Sequence, residues 1–370
     1  MVGRNDGGVC MRRRHKSNYI FVPDRQSGGS GWLWLVLLAV VALGALMLLM
    51  NHVSNGRVRL SEEKVSMMAL DKTFEGFTIL HLSDLHAADL GSDIEAWKKL
   101  LYGKNFHAVV MSGDMVGSDN DYEPLLSLIH TLRTIKADVP IYLLSGDDDP
   151  APVITTAQGT PEALANWVRA AVQMGATYLD APIAQKVGKR TVWFVPEYLY
   201  DVDAEGMVLS LTNQKSDMEA SGQQYEANGG ASYRALCYRL DAMQRTVEAQ
   251  KAMLDTDLQV AVNHSPLTAS YIRTSLEWAD QTRVFNFRNI GLLLCGHVCA
   301  GQWRLPGLGP IYMPDMGWFP GDTGLFGMQR INSINQYISP GLGASEAHPL
   351  KGRMFNSPTA TLLKFTGAIQ

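Results

Sequence analysis

At 370 residues the chain is too long for one ordinary single-core domain and long enough for one large domain with appendages. A hydrophobic fraction of 46% with 18% charged residues, 34 Gly and 16 Pro excludes collagen, coiled coil and extended disorder. The net charge of −4 disfavours a strongly basic nucleic-acid binder, but it averages unlike parts: up to residue 53, Arg4, Arg12, Arg13, Arg14, Lys16 and Arg25 stand against only Asp6 and Asp24, so the remainder is acidic.

Residues 1–30 read as a basic tail and 31–53 as a transmembrane anchor. The run GWLWLVLLAVVALGALMLLM at 31–50 has no charged or amide side chain, and about 20 apolar residues suffice to cross a bilayer as a helix. Trp32 and Trp34 stand at its entry edge, where aromatic rings favour the headgroup region. The run exceeds a signal-peptide core of about 7–15 residues, and no small-x-small site closes it before Asn51, His52 and Val53, so it is read as uncleaved. Arg12-Arg13-Arg14-His15-Lys16 before the span places the N-terminus in the cytoplasm and the body outside the cell membrane. The lipid bilayer is thus the first expected partner. Cys10 falls on the inner side, and Cys237, Cys295 and Cys299 are an odd number that cannot form a closed disulfide framework.

Residues 54–74 read as a juxtamembrane linker and 75–370 as a single domain. Within it, strands are expected at 77–83, 108–112, 140–145, 191–195, 258–262 and 290–295, with helices at 94–102, 122–135 and 161–174, Pro161 opening the last. Strands alternating with helices imply an α/β fold with a mostly parallel sheet covered on both faces. The stretch 198–256 breaks the rhythm: Asn213 to Ser232 suggests a loop and Tyr233 to Leu254 a helix, read together as an inserted cap or lid.

The chemistry lies in the loops that close the strands. Strand by strand the chain gives Ser83-Asp84-Leu85-His86, Ser112-Gly113-Asp114, Ser145-Gly146-Asp147-Asp148-Asp149, Asn263-His264, and Gly296-His297-Val298-Cys299. Loops beyond the carboxyl ends of parallel strands converge on one crevice, so these carboxylates, imidazoles and a thiol are aimed at one place. A lone Gly-Asp is usually a turn and a lone strand-end His usually core; five such loops in this order are not. The series resembles the calcineurin-like metallophosphoesterase superfamily, with its Asp-x-His, Gly-Asp, Gly-Asn-His-Asp/Glu, lone His and Gly-His-x-His motifs. In layout it is similar to the membrane-anchored bacterial branch. The resemblance implies a four-layer α/β/β/α sandwich and two divalent metal ions, bridged by Asp114. Asp84, His86 and the position of Cys299 would serve one metal; Asp147, His264 and His297 the other.

The chain departs from that pattern at Asp147, Asp148 and Cys299. Asp147 replaces a neutral amide ligand with an anion, and Cys299 replaces an imidazole with a thiol, which favours zinc or iron over manganese. Asp148 stands where the family His faces the phosphate as the candidate general acid, and an ionised carboxylate there would repel a phosphate. Two functions are implied: a metal-dependent phosphoesterase or pyrophosphatase acting on an envelope-associated, lipid-linked substrate, or a catalytically degenerate member serving as an envelope binding or scaffold module. Elsewhere His81 reads as core or as a ligand-orienting residue, Asp149 as loop support, Asp119 or Asp121 as a helix cap, Cys295 as packing, and Trp303, Trp318 and Phe319 as packing rather than a lipid-facing groove. Oligomeric state is not legible.

Overall fold

The computed structural model describes residues 31–117, 119–156, 162–313, 316–321, 324–346 and 348–367. The tail 1–30, with Cys10, and the expected helix start Pro161 lie outside the described residues. Two units are distinguished, 1–50 and 51–370. Helix α1 (Gly31–Asn55) carries the apolar run; its stretch Trp32–Asn55 is long and apolar enough to cross a membrane. Its large apolar side chains are exposed on all faces, unlike the one-sided stripe of a helix on a soluble core.

In the second unit β1 (Arg59–Met67) precedes β2 (Thr78–Leu82), α2 (Ile94–Leu100), β3 (Ala108–Ser112), α3 (Glu123–Ile135), β4 (Ile141–Leu144), α4 (Asn166–Gln173) and β5 (Ala176–Tyr178). Next come β6 (Ile183–Val187), β7 (Arg190–Pro196), α5 (Ala204–Ser221), α6 (Ala227–Ala252), β8 (Leu258–Val262), α7 (Ala269–Trp278) and β9 (Ile290–Cys295). Two short hairpins, β10 (Arg304–Leu305) with β11 (Gly309–Pro310) and β12 (Tyr312–Met313) with β13 (Gly317–Trp318), lead to β14 (Gly327–Ile331), β15 (Ile334–Ile338) and β16 (Thr359–Gly367).

These strands build two six-stranded sheets, ordered β1-β16-β2-β3-β4-β5 and β14-β15-β9-β8-β7-β6. Strands β2 to β5 run parallel, as do β7, β8, β9 and β15. The facing sides share a core that includes Ile79, Val110, Phe194, Val260 and Leu292, with Tyr142 stacked on Phe194 at 4.2 Å between centroids. Trp97 of α2, Leu128 and Leu132 of α3 and Trp167 of α4 cover the outer face of the first sheet. On the second sheet the cover is α5, α6 and α7, through Leu211, Leu236, Met243, Ile272 and Leu276. The expected α/β/β/α sandwich is therefore the observed fold, and its strand ends point the donor loops to one edge.

Four segments differ from expectation. The stretch 54–74, read as a linker, supplies β1, paired in parallel with β16 from Arg59↔Thr359 to Met67↔Gly367. Glu62, Glu63 and Lys64 hid it, because an edge strand carries charges that guard against further pairing. The expected loop 213–232 is mostly helical: Asp203 caps α5 by accepting from Gly206 N at 3.1 Å, and Gly222 ends it in a left-handed conformation, φ 74°. The pair α5 and α6 packs on Trp193 and Val195 of β7, and none of the described residues of the insertion lines the cleft at the donor loops. Finally, α4 begins at Asn166 rather than 161, and the N-cap position of α3 is Tyr122, Asp121 Oδ1 accepting instead from Glu123 N at 3.2 Å.

One buried carboxyl in the second sheet's flank gives the fold a pH dependence of its own. Glu197, 5% exposed, lies just beyond β7 and accepts from Tyr271 OH at 3.2 Å. Burial, aided by the nearby Asp201 charge and opposed by that hydrogen bond, pushes its pKa up to about 7 from 4.5. A raised carboxyl favours the folded state fully below the lower value and loses that contribution as pH climbs through the upper one. Glu197→Gln is expected to flatten the fall in unfolding midpoint between pH 4.5 and 7, removing a term on the order of 3 kcal/mol. Denaturant titrations across that range check it; parallel curves for both proteins would refute the assignment.

Candidate metal centre

Each donor singled out in the sequence lies in the loop after a parallel strand: Asp84 and His86 after β2, Asp114 after β3, Asp147 and Asp148 after β4, His264 after β8, His297 and Cys299 after β9. Backbone bonds stitch the loops together, Asp84 N donating to Gly113 O at 3.0 Å, His86 N to Asp114 O at 2.9 Å and Gly296 N to His264 O at 2.8 Å. Two glycines make that approach possible. Gly113 has φ 103°, and a Cβ there would come within 2.5 Å of His264 Nδ1; a Cβ on Gly146 would collide with Asp114 Oδ1.

Three groups of donor atoms result, each with its atoms within 4.8 Å of one another: Asp114, Asp147, His264 and His297; Asp84, His86 and Cys299; and His86, Asp114 and Asp148. Asp114 Oδ2 is 2.9 Å from His264 Nε2 and 3.8 Å from His86 Nε2, so one carboxylate faces both halves of the cluster. Asp147 Oδ1 lies 2.7 Å from His264 Nε2 and 3.1 Å from His297 Nδ1, and Cys299 Sγ lies 4.0 Å from His86 Nε2.

The electrostatics fit a cationic occupant. The His264 and then the His297 imidazole, 2.7 and 3.1 Å from Asp147 Oδ1, hold its carboxyl far below the carboxylate range when they carry charge. Burial works to lower the His264 pKa, but the Asp114 and Asp147 carboxylates outweigh it and push it up to about 11; Asp147 likewise raises His297. A protonated His264 and a metal-binding His264 are alternatives, and hydrogen-bond geometry favours the second. Its Nδ1 is 2.9 Å from the Ser112 carbonyl, which can only accept, so Nδ1 carries the proton. Nε2 is buried and, despite its carboxylate neighbours, has no well-directed hydrogen bond; Asp84 Oδ1 is buried and unpartnered too. A neutral imidazole lone pair aimed among carboxylate oxygens is repulsive unless a cation lies between them. Burial raises the Cys299 thiol well above its ordinary value, so it would ionise only on binding a soft metal.

Backbone strain marks the same residues. Asp84 (φ 52°), His86 (45°), Asp114 (51°), His297 (68°) and Cys299 (46°) all adopt the left-handed conformation that non-glycine residues avoid. Supporting groups surround them. Asp149 accepts from Val116 N at 2.7 Å and Gly146 N at 2.8 Å, which fixes the loop after β4; burial foremost pushes its carboxyl up to about 6. His81 is fully buried, which pushes it down to about 3, and its Nε2 meets Ser112 Oγ at 2.8 Å, beside the carbonyl that orients His264. Cys295 is buried 3.8 Å from Gln336 Oε1, away from the donors, and Cys237, Cys295 and Cys299 are all free thiols.

Two supporting residues have contacts that the sequence did not assign: Ser345 was missed altogether, whereas Arg353 belongs to the segment after Tyr337 that resembles the closing strand and loop of the membrane-anchored branch. Ser345 Oγ donates to Asp148 Oδ2 at 2.9 Å, and that oxygen lies 3.7 Å from His86 Nδ1, so Asp148 is turned toward His86. Arg353 is buried and donates to the carbonyls of Gly343 at 2.6 Å, Pro340 at 2.7 Å and Asn356 at 2.8 Å. It thereby fastens the 340–343 loop, whose Gly343 N reaches Asp84 O at 2.5 Å. The Ser-Pro-Gly-Leu-Gly run at 339–343 carried the resemblance in the sequence, without showing what Arg353 holds.

Among known protein families, the profile described as calcineurin-like phosphoesterase matches residues 77–301. No curated protein sequence matches the chain. Among solved structures, the phosphopantetheinyl hydrolase of Mycobacterium tuberculosis is similar at 14% identity and a TM-score of 0.36, over 73% of this chain and 91% of its own. A protein of Thermus thermophilus is similar at 12% identity and a TM-score of 0.35, over 72% of this chain and 90% of its own.

Proposed function

We propose a function that proceeds from one premise: the chain belongs to the calcineurin-like phosphoesterase family. That family is dinuclear and metal-dependent, and the donor groups of this chain are of a kind that can hold such ions. Our reading is a metal-dependent hydrolase of a phosphoester or pyrophosphate bond, acting on an envelope-associated, lipid-linked substrate. The observation that carries it is the position of Asp114, whose carboxylate is grouped with Asp147, His264 and His297 on one side and with His86 and Asp148 on the other.

Asp114 would bridge two cations. Asp84, His86 and Cys299 would hold one of them, and Asp147, His264 and His297 the other. Divalent cations bound there supply Lewis acidity to phosphate oxygens and to the attacking water. The chain's own part is to hold and orient the donors: the Nδ1–H of His264 on Ser112 O fixes which nitrogen faces inward, and the 340–343 loop keeps Asp84 in place. Asp148 occupies the place of the family imidazole, tethered by Ser345. As a carboxylate it gives little help in protonating a departing oxygen, which directs the site to esters whose leaving group departs without a proton. The basic tail and span-length helix support a cell-membrane protein with the N-terminus in the cytoplasm and the body outside, where tethering concentrates a lipid substrate.

The test is metal analysis of the full chain in detergent, with hydrolysis of an aryl phosphodiester under zinc, manganese and iron. Bound metal and turnover are expected, with zinc or iron preferred because of Cys299; preparations that never retain metal would sink the enzyme reading. In the same assay Asp148→His is expected to raise turnover of esters with poor leaving groups roughly tenfold or more. No gain would show that residue 148 does not face the phosphate.

A further inference from the structure

The donor cluster opens into a cleft of about 730 Å³ lined by two chemically unlike sets of residues. Asp114, Asp147, Asp148 and His297 bring the polar set; Leu267, Met313, Met316, Leu325, Ile331 and Ile338 form an apolar wall. A phosphate alone has no use for that wall. Met313 and Met316 belong to the β12–β13 hairpin, and the same hairpin turns its largest side chains to solvent. Met316 is 53%, Trp318 64% and Phe319 61% exposed, and Leu308 and Phe326 on either side are exposed as well. The Trp318 and Phe319 rings are neighbours, 6.5 Å between centroids.

The backbone reinforces this presentation. Phe319 has φ 52°, a conformation that a bulky residue holds only under strain, yet its ring stays largely exposed. Arg304 lies over the Phe326 ring at 5.0 Å. Trp and a cation beside an aromatic face settle at the headgroup level of a bilayer, with apolar bodies in the acyl region and polar tips in water, and a neighbouring Phe adds apolar area to the same face. Clustered exposed apolar side chains on a soluble surface mark a partner. A protein partner needs roughly 1,000 Å² of complementary surface, whereas this is a narrow hairpin continuous with the cleft, in a chain that also carries a span-length helix.

We propose that the exposed Met316, Trp318 and Phe319 beside the cleft dock into the bilayer surface, and that the cleft takes the phosphate head of a membrane amphiphile whose chain leaves along the wall of Met313 and Ile331. The inference rests on the phosphoesterase reading and deepens it by naming the substrate class.

The full chain in vesicles of phosphatidylcholine and phosphatidic acid provides the test. A nitroxide attached at Trp318→Cys is expected to be relaxed by oxygen in the lipid phase rather than by an aqueous nickel chelate, with labelled unsubstituted protein correcting for the other thiols. Phosphatidic acid in the vesicles is expected to slow aryl-ester turnover, as substrate or competitor. Doubly substituted Trp318→Asp, Phe319→Asp protein should need at least roughly tenfold more of it for the same effect, since loss of even one of its two buried aromatic rings corresponds to that fold-change. Its aryl-ester turnover without phosphatidic acid should be unchanged. A nitroxide seen only by the aqueous relaxer, or equal sensitivity of both proteins to phosphatidic acid, overturns the proposal. A protein inert toward the aryl ester but with its nitroxide in lipid would overturn the phosphoesterase reading and leave the docking hairpin standing.

Discussion

Asp114→Asn is expected to reduce turnover by roughly a thousandfold or more and to lower bound metal in both halves of the centre at once. The substitution is nearly isosteric. Asn keeps the Oδ1 acceptor for Asp148 N, now at 2.9 Å, but loses the charge and the second oxygen, the one 2.9 Å from His264 Nε2 and 3.8 Å from His86 Nε2. Neighbouring donors cannot compensate, because each belongs to one half only or, like His86, is neutral when it binds metal. The chelated protein should meanwhile unfold no earlier than its parent, since the change removes a negative charge from a site crowded with Asp84, Asp147 and Asp148. Elemental analysis, turnover and melting in chelator together separate a lost centre from a lost fold. Full metal content in the variant would show that Asp114 bridges nothing.

Arg353→Met is expected to lower stability by about 3–5 kcal/mol and to weaken metal binding, although Arg353 is not a donor to metal. Its guanidinium is buried, which draws its pKa below the ordinary range, and it serves three backbone carbonyls, Gly343, Pro340 and Asn356. Methionine fills much of the volume but leaves those acceptors without partners, and each buried unsatisfied group costs about 1–3 kcal/mol. The loop it releases carries Leu342 N and Gly343 N, which bond Ser83 O at 3.0 Å and Asp84 O at 2.5 Å. Asp84 should then wander, with metal affinity falling about 10–100-fold. Arg353→Lys should be intermediate, since one ammonium cannot span the fork of three carbonyls. Denaturant midpoints and metal titration read the two effects, and a midpoint unchanged in Arg353→Met would refute the assignment.

How much of this could be read beforehand differs by element. The central strands were legible because most are short apolar runs closed by Ser, Gly or Asn, and the donor residues because they come just after those runs. Strand β1 was not, since pairing with β16 depends on a partner far along the chain and leaves only a charged edge pattern locally. The α5 helix was obscured by its polar surface; only Ala204 and Leu211 are buried, so no apolar stripe announced it. The tethering of Asp148 by Ser345 joins loops distant in sequence and leaves no spacing to detect. The exposure of Trp318 and Phe319 reversed the packing expectation because aromatic composition alone does not say which way a hairpin faces.

The place of β16 in its sheet bears on how the protein is made. It lies between β1 and β2, which are synthesised long before it, since β2 ends at Leu82 and β16 begins at Thr359. At about 5–20 residues per second, the ribosome needs some tens of seconds to supply the missing strand. For that interval β2, the strand that leads into Asp84 and His86, has an open edge where β16 will later lie. Nascent chains stalled before residue 359 would therefore present an unpaired, fully buried-type strand to whatever is nearby, and assembly of the donor cluster would wait on the last strand to arrive.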